Sequence, residues 1–198
     1  MVTNTSFLIK VMVKLDLSDF SSDKARIKYA CANQAIAISQ ACPENLYPDF
    51  NFFTRLLESD NNILKWTAIK VIGNLSKVDN KKKVDKILPS LIVLLSDKSM
   101  ITAANTIGAL SEISMNKPDC AEEIITALLK VEKAQYYNKG NVSPECLNVA
   151  IGHVIKSFKK LGKRVYCRKD VQAFLKRQAR NTRPKVRELS EKLLMKII

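Results

Sequence analysis

The stretch Ala68-Ile69-Lys70-Val71-Ile72-Gly73-Asn74-Leu75 recurs along the chain with the same order of small and branched apolar residues. A clear copy is Ala103-Ala104-Asn105-Thr106-Ile107-Gly108-Ala109-Leu110, and a shorter one is Ala150-Ile151-Gly152-His153-Val154. A weaker copy, with alanine in place of glycine, begins at Ala32. The aligned isoleucines are 36, 35 and 44 residues apart; they are Ile36, Ile72, Ile107 and Ile151. A period of this length is typical of stacked structural repeats.

Apolar residues at helical spacing continue outward from these copies through nearly the whole chain, and no segment shows convincing strand alternation. The expected fold class is therefore all-α, an α-solenoid of about five antiparallel helix pairs in one domain over residues 1–198. The predicted pairs are 6–17 with 24–41, 45–58 with 63–78, 84–95 with 100–115, 118–133 with 144–161, and 170–180 with 184–197. Residues 134–142 form the longest irregular segment and explain the spacing of 44.

The net charge of +14 is concentrated near the C-terminus. Residues 156–198 hold 15 Lys/Arg and three Asp/Glu, so +12 of the net charge lies there. Such an asymmetry can mark an anionic partner.

Several classes of protein are disfavoured by composition. The five cysteines are widely spaced, without a Cys-x-x-Cys pair, so we expect free thiols in a reducing cytoplasm rather than disulfides or zinc. One histidine cannot build a histidine-based metal site. No apolar run approaches the ~18 residues of a membrane span, and no signal peptide is evident. We expect no cofactor, no membrane partner and a cytoplasmic location; the sequence does not indicate an oligomeric state.

The last predicted helix carries the most diagnostic motif. Its turn is Asn181-Thr182-Arg183-Pro184, and Lys185-Val186-Arg187-Glu188-Leu189-Ser190 and spaced apolar residues follow. This order resembles the second helix of a HEAT repeat, and Leu64-Lys65 and Ile27-Lys28 are similar to its Val-Arg pair. The chain thus resembles the HEAT-repeat family, with armadillo repeats as close relatives, and it is similar to small stand-alone bacterial and archaeal HEAT-repeat proteins. The resemblance implies an interaction surface on a concave face lined by the second helices, and no catalysis.

Candidate residues for a protein partner on that face follow from the resemblance. Basic residues at the Val-Arg position either bond to turn residues or contact a ligand, and Trp66 either packs between repeats or anchors a partner. The candidates are Lys28, Lys65, Trp66, Asn105 and Arg187.

A second set is basic and would suit a polyanion. His153, Lys156, Lys160 and Lys163 are expected to share one helix face, which is either an anion site or a solvated surface. Further candidates crowd the last pair of helices, where few acids are nearby in the sequence; they are Lys176, Arg177, Arg180, Arg183 and Lys185. In the long irregular segment, Tyr136 and Tyr137 either contact a partner or fold back onto the core.

Two functions are therefore predicted as alternatives. The first is a non-enzymatic adaptor that binds a protein on the concave face, and the second is binding of nucleic acid or another polyanion through the C-terminal repeats. No nucleophile elbow, P-loop, zinc motif or dinucleotide fingerprint is present, so the chain is not expected to be an enzyme. HEAT-like DNA glycosylases are the enzymatic relatives to consider, and one tryptophan with few acids in the second helices supports them poorly.

Overall fold

The computed structural model describes residues 15–197, and within them the chain is almost entirely helical. Ten α-helices are present in this part of the chain. They are α1 (Ala25–Ala41), α2 (Phe50–Leu56), α3 (Asn62–Leu75), α4 (Lys83–Val93), α5 (Met100–Asn116), α6 (Ala121–Lys130), α7 (Pro144–Leu161), α8 (Lys163–Tyr166), α9 (Lys169–Gln178) and α10 (Pro184–Leu194).

Short 3₁₀ turns extend or link many of these helices. They lie at Leu17–Ser21, Pro43–Asn45, Tyr47–Asp49, Ser76–Val78, Leu94–Ser96, Pro118–Cys120 and Val131–Lys133. The helix predicted over 45–58 is therefore shorter than expected, because its N-terminal half forms 3₁₀ turns with a proline at the first or second position. Most of the helix predicted over 6–17 lies outside the described residues.

The second helices of the pairs are α1, α3, α5, α7 and α10, and they stack in chain order. Helix α1 packs against α3, α3 against α5, α5 against α7, and α7 against α10. Ile72 and Ile107 accordingly lie on neighbouring helices, where their side chains are 0% and 1% exposed. The predicted all-α solenoid is thus confirmed, and its repeat motif forms the centre of the stack.

Side-chain caps explain where three of the five second helices begin, namely α3, α5 and α7. The Asn61 carboxamide oxygen accepts hydrogen bonds from the amides of Ile63 and Leu64 at the start of α3. Ser99 and Ser143 cap α5 and α7 in the same way. Each cap satisfies a backbone donor that the first helical turn leaves free.

One small β-hairpin departs from the predicted all-helical pattern. Tyr137–Asn138 pairs antiparallel with Asn141–Val142, inside the segment that the sequence predicts to be irregular. Lys139 and Gly140 connect the strands with φ values of 49° and 82°, as a tight type I′-like hairpin turn requires. All four strand residues are exposed, so the hairpin lies on the surface in the connection between α6 and α7 and does not enter the core.

The three glycines of the repeat motif differ in their surroundings. A Cβ atom at Gly73 would lie 2.9 Å from the Ala109 Cα atom, because α3 and α5 approach closely there. A Cβ at Gly108 would meet nothing within 4 Å, and one at Gly152 would touch only the Val186 side chain at 3.7 Å. Glycine is therefore needed for packing at Gly73 and not at Gly108.

Replacing Gly73 with alanine should lower the free energy of unfolding by about 1–3 kcal/mol, because the added methyl group forces two backbones apart. The matched change Gly108→Ala should leave stability unchanged or raise it by up to about 1 kcal/mol through its higher helix propensity. Chemical denaturation of both variants measures the difference. Equal effects would contradict the close approach of α3 and α5.

Candidate functional site

The surface formed by α1, α3, α5, α7 and α10, which we call the second-helix face, contains a groove that crosses four of these helices. This polar groove has a volume of about 370 Å³. Its lining comes from α1 (Gln40), α3 (Lys70, Asn74), α5 (Ala104, Asn105, Ile107, Gly108, Ala109, Ser111, Glu112) and α7 (His153, Lys156, Ser157, Lys160). The regular stacking of the second helices is what brings these distant residues together.

The polar groove carries an excess of positive charge. Lys70, Lys156 and Lys160 line it against one carboxylate, Glu112, which pairs with the Lys160 ammonium. Lys70 and Lys156 are exposed and make no ion pair within residues 15–197. Two uncompensated ammonium groups therefore line the groove from two different helices, α3 and α7.

Two buried hydroxyl groups in this groove lack hydrogen-bond partners. Ser111 on α5 and Ser157 on α7 are 3% and 5% exposed, and neither Oγ atom forms a hydrogen bond in the described structure. No other buried side-chain nitrogen or oxygen within residues 15–197 is unsatisfied. An unsatisfied buried hydroxyl costs about 1–3 kcal/mol, so an acceptor that enters the groove and reaches these hydroxyls would stabilise both groups.

His153 lies between these groups and is half-buried. Burial, aided by the positive charge of Lys156, lowers the pKa of its imidazole below the usual range. The ring is therefore neutral at neutral pH and can both donate and accept one hydrogen bond.

A second depression on the same face lies between α7 and α10, and we call it the terminal cleft. Its volume is about 330 Å³. Apolar side chains and four lysines line it: Ile155, Leu189, Leu193 and Met195, with Lys156, Lys159, Lys192 and Lys196. Lys156 lines both depressions, so the polar groove and the terminal cleft adjoin.

A larger groove of about 570 Å³ lies on the other side of the solenoid, between α4 and α6. Asp119, Glu122 and Glu123 make its rim acidic. It joins only two first helices, and within residues 15–197 it contains no unsatisfied buried polar atom. The second-helix face is therefore the better candidate site.

The predicted protein-binding residues are placed mostly in structural contacts. The Trp66 Nε1 group donates to Thr102 Oγ1 at 3.0 Å, which joins α3 to α5. The Lys65 ammonium lies 3.9 Å from a carboxylate oxygen of Asp97, in the connection that precedes α5.

The other three candidates for protein binding differ from one another in their surroundings. Arg187 Nη1 donates to the carbonyl groups of Asn181 and Thr182 at 2.9 and 3.1 Å, so it braces the turn before its own helix. Lys28 is half-buried and forms no ion pair in the described part of the chain. Asn105 lines the polar groove while its Nδ2 group donates to the Ile101 carbonyl at 2.9 Å. Of the five, only Asn105 reaches a cavity of the second-helix face.

The predicted polyanion residues are brought together only in part. His153, Lys156 and Lys160 line the polar groove as a group. Lys163 does not continue their face, because α7 ends at Leu161 and Gly162, with a φ of 88°, redirects the chain into α8. This corrects the prediction of four residues on one helix face.

Most of the remaining cluster is neutralised by acids of the same helix or the neighbouring pair of helices, which corrects the expectation of few nearby acids. Arg177 Nη2 lies 2.7 Å from Glu132 Oε1, Arg183 pairs with Glu145, and Lys185 Nζ lies 2.9 Å from Glu188 Oε2. Lys176 and Arg180 form no ion pair within residues 15–197 and are exposed. The cluster is therefore a network of surface ion pairs with two free members.

The two loop tyrosines have opposite environments. The Tyr136 ring is 0% exposed, and its hydroxyl donates to the Leu95 carbonyl at 2.6 Å. Burial raises the pKa of Tyr136 to about 12. Tyr136 therefore folds into the core, which corrects its candidacy for contacting a partner. Tyr137 is 37% exposed and remains accessible.

Several residues of the site were missed in the sequence, namely Gln40, Lys70, Asn74, Ser111, Glu112 and Ser157. A signal for one of them existed, because serine recurs three or four residues after the aligned isoleucine at Ser39, Ser76 and Ser111. Ser39 accepts a hydrogen bond from Asn74 at 2.9 Å, and Ser76 accepts one from Asn116 at 2.8 Å. Ser111 is the member of this series that lacks a partner.

This architecture is an armadillo/HEAT-like repeat solenoid. The chain is similar to a designed armadillo repeat protein, with 17% identity and a TM-score of 0.52 over 98% of this chain and 82% of that one. It is similar also to an engineered protein, with 15% identity and a TM-score of 0.52 over 97% and 78% of the two chains. No protein-family model and no curated protein matches the sequence.

Two further features of residues 15–197 concern the candidate partners. Among these residues no helix has the length and apolarity needed to cross a bilayer. The same part of the chain contains no cluster of three or more histidine, cysteine, aspartate or glutamate side chains that could hold a metal ion.

Proposed function

We propose that this protein is a non-enzymatic scaffold that binds an acidic, extended peptide segment of a protein partner in the polar groove of the second-helix face. The observation that carries the proposal is the pair of buried, unpartnered hydroxyls of Ser111 and Ser157 in that groove. A peptide supplies a carbonyl acceptor at every residue, so it can satisfy both.

The shape and charge of the groove support a peptide over a compact ligand. The lining extends from Gln40 on α1 to Lys160 on α7, so the ligand must span four helices. Gln40, Asn74 and Asn105 add carboxamides that can bond to a peptide backbone. Lys70 and Lys156 lack carboxylate partners in the described structure, which favours acidic side chains in the bound segment.

The alternative, polyanion binding by the C-terminal repeats, has weaker support. The charge asymmetry that suggested it remains, but the ion pairs of Arg177, Arg183 and Lys185 would have to exchange their carboxylates for phosphates. Exposed ion pairs contribute only about 0–1 kcal/mol each, so the exchange is feasible. The ion pairs nevertheless remove the argument that these three basic residues lack counterions.

The test begins with selection from a random twelve-residue peptide library on the immobilised full chain. We expect enriched peptides to be acidic. Their affinity should fall about tenfold or more in the double variant Ser111→Ala/Ser157→Ala, which removes two hydrogen bonds of about 0.5–1.5 kcal/mol each. The same variant should keep or raise the free energy of unfolding, because neither hydroxyl has a partner to lose in the free protein.

Controls separate a groove site from general attraction of anions. Lys70→Glu, in the groove, should weaken peptide binding strongly, and Lys86→Glu, an equal charge change on an exposed residue of α4, should not. Labelled single- and double-stranded oligonucleotides are titrated in parallel at two salt concentrations. Failure to enrich any peptide, or equal losses in both lysine variants, would overturn the proposal; tight oligonucleotide binding without peptide binding would favour the polyanion alternative.

A further inference from the structure

We infer that the terminal cleft holds one large apolar side chain of the same partner segment, so that the recognised motif is an acidic stretch adjoining an apolar anchor. This inference rests on the proposed function and names the chemistry of the partner. A different set of residues carries it, because apart from Lys156 the cleft and the polar groove share no lining residue.

The cleft offers an apolar floor that remains open to solvent. Ile155 and Leu193 are buried core residues at its base, Leu189 is half-buried, and Met195 is 69% exposed. Methionine is a flexible side chain that packs readily against varied partners, and exposed apolar surface in a soluble protein often marks an interaction site. An apolar side chain entering the cleft would remove the Met195 side chain from water.

The rim of the cleft determines what can flank that side chain. Four lysines line it and no carboxylate does. Lys192 is bonded to Glu188 at 2.6 Å, whereas Lys156, Lys159 and Lys196 form no ion pair within residues 15–197. The methylene groups of these lysines enlarge the apolar surface of the cleft, while their ammonium groups stay in water. The cleft and its rim therefore favour an apolar residue flanked by acidic ones.

The position of Lys156 links the two depressions into one binding surface. Its side chain lines the α7 side of the polar groove and one wall of the terminal cleft. A single extended segment, which advances about 3.3 Å per residue, can therefore contact both depressions at Lys156.

An acyl chain with an acidic head group is the competing occupant, because an apolar cleft with a lysine rim suits it too. The peptide is favoured by continuity with the polar groove, whose unpartnered serines an acyl chain in the terminal cleft would not reach. Vesicle binding is therefore included as an outcome of the test.

The experiment uses the acidic peptides enriched on the full chain. We expect most of them to contain one Leu, Ile, Met or Phe next to the acidic run, and alanine at that position to weaken binding about ten- to a hundredfold, as burial of one such side chain implies. Met195→Glu should cause a loss of the same size. Val93→Glu is the matched control, because Val93 is 70% exposed on α4, away from the second-helix face, and should change affinity less than about twofold.

The possible failures are distinguishable. Acidic peptides that bind the groove without an apolar residue, and that Met195→Glu does not weaken, would overturn the terminal-cleft proposal and leave the proposed function intact. If no peptide is enriched, both the proposed function and the terminal-cleft proposal are overturned. Co-sedimentation with phosphatidylserine vesicles that is abolished by Met195→Glu, without any effect of Met195→Glu on peptide binding, would assign the cleft to a lipid and overturn this inference alone.

Discussion

Replacement of Ile107 with alanine should lower the free energy of unfolding by about 2–5 kcal/mol, because it leaves a cavity in a core that cannot collapse freely. Ile107 is 1% exposed on α5, the helix that packs against both α3 and α7. In a stack of repeats, a loss of packing at one interface also weakens the adjacent interfaces. If the cooperativity of unfolding breaks down as a result, the m-value for chemical denaturation should fall. Guanidinium denaturation followed by circular dichroism measures both quantities.

The same helix supplies the control. Ile101 is an isoleucine of α5 that is 47% exposed, so Ile101→Ala should cost less than about 0.5 kcal/mol. The pair Ile72 and Ile63 on α3 repeats the comparison, with side chains 0% and 39% exposed. Similar losses for the buried and exposed isoleucines would mean that the second helices are rotated from the positions described above.

A second large effect is expected at Asp79, whose buried carboxylate joins the second and third pairs. Tyr47 donates to it at 2.7 Å, the amides of Lys83 and Val84 at 2.8 and 3.0 Å, and the Lys117 ammonium at 2.9 Å. Asp79→Ala should lower the free energy of unfolding by about 3–5 kcal/mol, since it leaves several buried donors unpaired. Asp85→Ala is the control, because that carboxylate also bonds to Lys117 but is 36% exposed.

The effect at Asp79 should depend on pH in a defined direction. Burial opposes its charge, but hydrogen bonds from Tyr47 and Lys117 and from the amides of Val84 and Lys83 outweigh burial and lower its pKa. The stabilisation is therefore complete above the unfolded pKa of about 3.9 and is lost as pH falls through the lower folded value. The difference in stability between the wild type and Asp79→Ala should shrink below about pH 4. A difference that is constant from pH 7 to pH 3 would argue against this charged network.

The order of the helices was predictable from sequence because the apolar spacing of a buried helix face is a local signal. The period set by Ile72 and Ile107 was enough to predict which helices are neighbours, since stacked repeats contact only adjacent repeats. The hairpin at Tyr137–Val142 was missed because two-residue strands are too short to show alternation. The contrast between Gly73 and Gly108 was also invisible, because identical motif positions can differ by small shifts of a neighbouring helix.

The candidate site was less predictable because it depends on contacts between residues that are far apart in the sequence. Arg177 is 45 residues from Glu132, and the sequence window around the basic cluster gave no sign of that carboxylate. The hydrogen-bond partners of Asp79 likewise come from positions as far away in the sequence as Tyr47 and Lys117. Charge composition revealed how many basic residues are present, and only the stacking revealed which of them are free.

Side-chain hydrogen bonds between successive second helices are unevenly distributed along the solenoid. Asn74 and Ser39 cross-link α1 and α3, Trp66 and Thr102 cross-link α3 and α5, and the Asn148 side chain reaches Thr182 beside α10 at 3.0 Å. Between α5 and α7 the described side chains offer only the exposed pair of Lys160 and Glu112, and the unpartnered Ser111 and Ser157 lie at that step. A ligand that bonds to both serines would supply the missing cross-link between α5 and α7. Occupancy of the groove would therefore stiffen the solenoid.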